Sequence, residues 1–293
     1  MSGYVDLHIH SDHSSDGEFS PAELIGFARE TGFVAISIAD HDTASAYPGA
    51  IEAAAGSGIE IIPSMEVTTL FEGREFHVLL PFLDWTSRTV TAIADRVTSG
   101  RFDEARERVG KLREIGLDIT WEEVESGAKG MAPLGVTIAQ VLLDKPGSRN
   151  DPRLARYFSA ERRLRAASHF YQDYFMEGRP AFVTKRHIDL LEVLGLAPDA
   201  GAVPVLSHPG AYFQNTTRDD LVRLKDRGLA GVEVFTSYHT AAHASFYAAI
   251  ARELDLVPTA GSDFHGRIKP HVAFGSVRDG GPEVVEELRK RRP

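Results

Sequence analysis

Asp6-Leu7-His8-Ile9-His10, followed closely by Ser15-Asp16-Gly17, is the stretch on which the reading of this 293-residue chain turns. It reads as a short strand ending in two histidines at alternate positions. Side chains two apart on a strand share a face, so His8 and His10 point the same way and can hold one metal ion. Asp16, on the following turn, can add an oxygen ligand. Alone, the pair is equally compatible with a half-buried strand that binds nothing. The rest of the chain has to decide.

The arrangement recurs. Ser20-Pro21-Ala22-Glu23 is a capping box with proline at the first helical position, and the helix it starts runs through Thr31 to a stop at Gly32. Phe33 to Ala39 is a continuous apolar run, the mark of a strand buried on both faces, and it leads straight into Asp40-His41-Asp42. A helix near 46–55 precedes a strand from Ile59 to Ser64, which runs into Met65-Glu66-Val67. Phe76-His77-Val78-Leu79-Leu80 is a further strand. A buried strand has no cheap use for an unpaired His or Glu. Successive strands that each carry one, in or just beyond an apolar run, form the pattern of a βα barrel whose ligands converge at one mouth.

From 88 to 180 the pattern becomes helical. Arg101 to Gly116 places Phe102, Ala105, Val109 and Leu112 on one helix face. Trp121–Ser126, Leu134–Asp144 and Ala160–Phe175 also read as helices, with a loop over 145–152. The next strand is expected at Ala181-Phe182-Val183. Insertions after barrel strands commonly cover a site and select its substrate. The strand-and-helix rhythm then returns: 203–207 leads into His208-Pro209-Gly210, 230–235 ends near Ser237-Tyr238-His239, and 256–260 leads into Gly261-Ser262-Asp263-Phe264-His265-Gly266. The expected division is 1–87 and 181–293 as one barrel domain, with 88–180 as a helical cap.

Composition bounds the chemistry. A hydrophobic fraction of 43% and a charged fraction of 25% are ordinary for a globular chain. A formal net charge of −10 argues against duplex nucleic acid as a partner, since that needs a basic face. A small phosphorylated ligand stays open, because metals or a local cation cluster reverse the sign of a pocket. There is no cysteine, so any metal is held by His, Asp and Glu, a donor set that suits Mn, Fe or Zn at a catalytic site. No apolar run is long enough to span a membrane and no signal-peptide pattern is visible, so a cytoplasmic location is expected. No feature of the sequence fixes an oligomeric state.

The collected candidates are His8, His10, Asp16, His41, Glu66, His77, His208, Asp263 and His265. With the segments DLHIHSDHSSDG, ADHDT, SMEVTT, FHV, SHPG and GSDFHG, they resemble the PHP (polymerase and histidinol phosphatase) family of metallophosphoesterases. The resemblance spans both halves of the chain, and each usual ligand position of that family has a matching residue. It implies an α/β fold with a distorted (β/α)7 barrel and an inserted helical subdomain, and a site for two or three divalent ions. By that resemblance His8 and His10 hold a first metal with Glu66 and Asp263. Glu66 bridges to a second metal shared with His77 and His208, and Asp16, His41 and His265 hold a third. It also implies attack by a metal-bound hydroxide, with Asp263 and Asp16 as the catalytic carboxylates, because metals neutralise phosphate charge and lower the pKa of bound water towards ~7.

The position of the insertion is similar to that of nucleoside 3',5'-bisphosphate phosphatases, whose relatives act on RNA 5' ends or cyclic phosphates. The expected substrate is therefore a small phosphorylated metabolite, a nucleotide by that resemblance, as a phosphomonoester or cyclic phosphodiester. Arg101, Lys185, Arg186 and His239 are candidate substrate contacts. One departure matters: Gly135-Val136-Thr137 stands where those phosphatases carry Arg-x-His on an insertion helix. Two other readings remain. An amidohydrolase-type C–N hydrolase also opens with HxH, but no lysine ends a middle strand here. A non-catalytic metal-binding domain would be favoured by loss of ligands, and none is lost.

Overall fold

The computed structural model describes residues 3–293. In chain order the elements are β1 (Tyr4–Ile9), α1 (Pro21–Thr31), β2 (Phe33–Ile38), α2 (Tyr47–Ala54), β3 (Glu60–Ile61), β4 (Glu66–Phe71) and β5 (Arg74–Leu79). A helical stretch follows: α3 (Arg88–Glu114), α4 (Trp121–Gly127), α5 (Gly135–Asp144) and α6 (Ala166–Tyr174). Then come β6 (Ile188–Asp189), α7 (Leu190–Leu196), β7 (Val205–Leu206), α8 (Arg218–Lys225), β8 (Gly231–Thr236), α9 (Ala241–Glu253), β9 (Val257–Gly261) and α10 (Pro282–Arg289). The fold is α/β.

The strands form two sheets. One is parallel, in the order β1-β2-β3; the other is mixed, in the order β6-β4-β5-β7-β8-β9. In the mixed sheet β5 runs antiparallel to both neighbours. Only Glu72-Gly73 separates β4 from β5, and both have positive φ (51° and 76°). That is the geometry of a two-residue hairpin, too short for the crossover a parallel pair requires. Single bridges join the sheets at two places, Ile9 to Phe264 and His41 to Glu66. Both fall beside candidate ligands.

Ala181-Phe182-Val183 is not a strand. The amide of Ala181 donates to the Tyr174 carbonyl (2.8 Å), and the Phe182 carbonyl accepts from Lys111 Nζ (2.5 Å). A local turn bond and a side-chain contact from the Arg88–Glu114 helix therefore use groups a ladder would need. The edge strand is β6 instead, paired parallel to Thr69 and Leu70.

The helix starting near Arg101 in the sequence begins earlier, at Arg88, capped by Ser87. It joins two cores. Val90, Ile93 and Val97 pack on the sheet core with Met65, Val78 and Leu206. Ala105, Val109 and Leu112 belong to a second core with Ile138, Leu142, Tyr157 and Phe170. An apolar stripe that finds a partner along its whole length stabilises a helix beyond its propensity. No helix among the described residues is long and apolar enough to cross a membrane.

Candidate metal centre

Six places in the fold deliver the polar residues. β1 carries His8, and His10 follows its last residue, both fully buried; the loop beyond carries Asp16. His41 follows β2, Glu66 opens β4 and His77 lies within β5. His208 follows β7, and Asp263 and His265 follow β9. The loop after β1 is shaped by Asp40, which accepts from the Ser11 amide (2.7 Å) and the Ser11 hydroxyl (2.6 Å). Asp263 and His208 have φ of 56° and 25°, the left-handed region that non-glycine residues rarely occupy. Such strain persists where the surroundings over-determine the backbone, as at functional sites.

Glu66 is the hub. Its Oε2 lies 3.4 Å from His8 Nε2, 3.4 Å from His10 Nε2 and 3.1 Å from His41 Nδ1. Its Oε1 lies 3.0 Å from His77 Nδ1 and 2.9 Å from His208 Nε2. Asp263 Oδ1 faces His10 Nε2 at 3.1 Å and His8 Nε2 at 3.4 Å. Asp16 Oδ2 is 3.0 Å from His265 Nε2 and 3.6 Å from His41 Nε2.

Three overlapping groups have donor atoms within 4.8 Å of one another: His8-His10-Glu66-Asp263, His10-Asp16-His41-His265, and His41-Glu66-His77. Many of these atoms approach without hydrogen-bonding geometry. His8 Nε2, His10 Nε2, Glu66 Oε2, Asp263 Oδ1 and His265 Nε2 are all buried with no hydrogen-bond partner. Buried polar atoms are normally paired, so a convergent set of unpaired nitrogens and oxygens fits divalent ions.

The electrostatics agree. Burial works to raise the Glu66 carboxyl, but the His8, His77 and His41 rings hold it well below the ordinary carboxylate range. Burial, with His265 beside it, pushes the His10 imidazole down to about 4, so the neutral ring keeps one nitrogen with a lone pair to donate. Burial also opposes ionisation of Asp263, yet Lys269 and His265 hold it well below its ordinary value.

The nine expected ligands therefore converge. His41 and His10 each belong to two of the groups, a sharing that strand spacing alone did not reveal. The four expected substrate contacts spread apart. Arg101 lines the cavity over the cluster, its Nε on Asp42 and its Nη2 on the Thr68 hydroxyl. Lys185 is paired with Glu75 and Tyr171 behind the cavity wall. Arg186 is exposed. His239 accepts from the Gly210 amide through Nε2 and bonds the Val234 carbonyl through Nδ1, outside this cavity. Several cavity or supporting residues, Glu75 and Glu104 among them, were not among the expected contacts. Glu233 bonds His8 from the middle of β8; Lys269 pairs with Asp263; Arg108 and His187 line the far wall. Only Glu233 left a trace in the sequence, as a carboxylate inside an apolar strand run.

The PHP domain pattern matches residues 6–125. A 5'-3' exoribonuclease of Haemophilus influenzae is 30% identical over 267 residues, covering 90% of this chain and 91% of that protein. The chain belongs to the PHP family. This PHP protein is a metal-dependent phosphoric ester hydrolase. A 3',5'-nucleoside bisphosphate phosphatase of Chromobacterium violaceum is 24% identical over 263 residues, covering 89% of this chain and 87% of that one. A solved structure from Bifidobacterium adolescentis, described as a metal-dependent phosphoesterase, shares the PHP fold with a TM-score of 0.84 at 24% identity, over 99% of this chain and 96% of that one.

Proposed function

We propose that this protein hydrolyses a small phosphorylated metabolite of nucleotide type, as a monoester or cyclic diester, at the Glu66-centred cluster. The observation that carries the reading is the trio of overlapping donor groups, with Glu66, His10 and His41 each shared, of which Asp16, His41, Glu66, His77 and Asp263 floor one cavity. Such sharing is what two or three adjacent ions require, and Mn, Fe or Zn suits the all-N/O donor set. Divalent ions held there neutralise the phosphoryl oxygens and activate water. Asp263 and Asp16 supply the carboxylates on either side of His265. Lys269 Nζ, on Asp263 Oδ2, stands over the cluster as a cation for a phosphoryl oxygen. Arg101 is held at the rim.

The same reading covers the architecture. The two sheets, bridged at Ile9–Phe264 and His41–Glu66, are halves of one distorted barrel made by 1–87 and 181–293. Residues 88–180, with their own apolar core, form the cap. Leu134, Gly135, Val136 and Tyr171 from that segment line the cavity, which keeps bulk water from the cluster.

The test is hydrolysis by Mn-loaded protein, read as phosphate release from nucleoside monophosphates and bisphosphates and as ring opening to a monoester for cyclic phosphates, with bound metal counted in the same sample. Turnover of at least one class supports the reading. No turnover of any, with metal bound, overturns it.

A further inference from the structure

We propose that the cap end of this cavity binds an uncharged, hydrogen-bonding substituent of the substrate and disfavours a second phosphate. The proposal rests on the phosphoesterase reading for the position of the first phosphoryl group.

The charges around the cavity decide it. Its lining Arg and Lys residues, among the described residues, are Arg101, Arg108 and Lys269. Each already has a carboxylate. Arg101 has Asp42, Arg108 Nη2 lies 2.5 Å from Glu104 Oε1, and Lys269 has Asp263. Lys185, just behind the wall, has Glu75. Only the partner of Lys269 belongs to the ligand cluster, so bound cations add positive charge at that end alone. At the cap end, burial and the nearby Arg101 push the His187 imidazole down to about 3, so it adds no charge. A second phosphate there would meet Glu104 with no surplus cation to offset the repulsion.

Charge is balanced at the cap end, but hydrogen bonding is not. Arg108 Nε and His187 Nδ1 are buried without a hydrogen-bond partner, and Glu104 Oε2 faces only His187 Nε2, at 3.3 Å and without hydrogen-bonding geometry. Arg108 and Glu104 are each more than nine-tenths buried. Buried donors and acceptors left unpaired are costly, so this wall calls for a ligand offering both. A phosphate offers acceptors only at neutral pH. The edge of a nucleobase, or a sugar hydroxyl, offers both kinds. The wall is also aromatic: the Arg108 guanidinium lies over the Tyr171 and Phe175 rings, 5.5 and 4.9 Å from their centres, and Tyr171 itself lines the cavity, where a flat ring can pack. Gly135 makes this possible. A Cβ there would come within 2.6 Å of the Tyr171 ring and 3.0 Å of Arg108 Nη1.

The experiment is calorimetric titration of the protein, loaded with calcium in place of manganese to slow turnover, with adenosine 5'-phosphate and adenosine 3',5'-bisphosphate. Phosphate release from p-nitrophenyl phosphate with Mn judges the phosphoesterase reading separately. The monophosphate is expected to bind about tenfold more tightly than the bisphosphate, and Glu104→Gln to cut that preference about tenfold by releasing the Arg108 charge. Equal or tighter binding of the bisphosphate by the wild type overturns the proposal, as does failure of both nucleotides to bind. An unchanged preference in a folded Glu104→Gln protein overturns it too. Should that variant fail to fold, Gly135→Ala serves. It is expected to weaken adenosine 5'-phosphate binding relative to inorganic phosphate by about tenfold; an unchanged ratio overturns the proposal.

Discussion

Glu233 Oε1 lies 3.1 Å from His8 Nδ1, while Glu233 Oε2 accepts from the His208 amide at 2.8 Å. One fully buried carboxylate in β8 thus braces the His8 ring on β1 and the His208 backbone after β7. Fixing one ring nitrogen sets the tautomer and leaves Nε2 free for metal. Glu233→Gln keeps the shape but removes the charge. We expect metal affinity to fall about 10- to 100-fold with the fold intact. Metal titration followed by calorimetry checks it, and unchanged affinity would refute the role.

The same contact explains Gly261. A Cβ at this position would lie 2.2 Å from Glu233 Oε1 and 2.3 Å from His8 Cβ. Gly261→Ala must push β1 and β8 apart or turn Glu233 away. The expected loss is about 1–3 kcal/mol of stability, read by urea denaturation, together with weakened metal binding. Full stability with full affinity would show that the sheet absorbs the methyl group without moving the ligand.

These two residues mark the boundary of what the sequence disclosed. Most of the expected ligands were legible because they are polar residues in or just beyond an apolar strand run, and the chain repeats that signal. Glu233 was not, because a single Glu inside Gly231–Thr236 has no periodic signal, and its partners lie 225 and 25 residues away along the chain. Strand direction was partly hidden as well. The reversal of β5 follows from a two-residue turn, whereas apolar runs look alike in either direction. The far wall was least visible: Arg108 reads as one more surface charge on a helix until Gly135 and Tyr171 are placed against it.

Arg101 ties α3 to the loop after β2 and to β4. Its Nε meets Asp42, which also accepts from the Thr68 amide at 2.9 Å, and its Nη2 meets the Thr68 hydroxyl. Arg101→Leu leaves Asp42 buried and unpaired, which costs about 3–5 kcal/mol. Adding Asp42→Asn should restore much of that loss, since the orphaned charge is gone. A double-mutant cycle by thermal melting measures the coupling. Additive effects would place Arg101 outside this ion pair in solution.

Removing metal should destabilise the protein. The cluster holds carboxylates and imidazoles with unpaired buried atoms, and ions bound only to the folded state relieve them. Ions at about 100 times their dissociation constant add about 2.7 kcal/mol per independent site. Chelation should therefore lower the melting temperature, and Mn should restore it. A melting temperature indifferent to chelator would count against a cluster that binds ions in the native state.

Asp263→Asn separates ligand chemistry from folding. Asp263 has φ of 56°, a conformation that asparagine tolerates nearly as well as aspartate, so the backbone of the loop after β9 should survive. The amide is a far weaker ligand than the anion, and Lys269 loses the carboxylate that neutralises it. Metal held between Asp263, His8 and His10 should weaken, and kcat should fall by about 10²–10³-fold or more, as when a charged group is removed from a reacting centre. Circular dichroism and a melting curve close to wild type would establish that the fold is retained. Wild-type turnover in that folded variant would remove Asp263 from the reacting centre and leave the Glu66 groups to account for the chemistry alone.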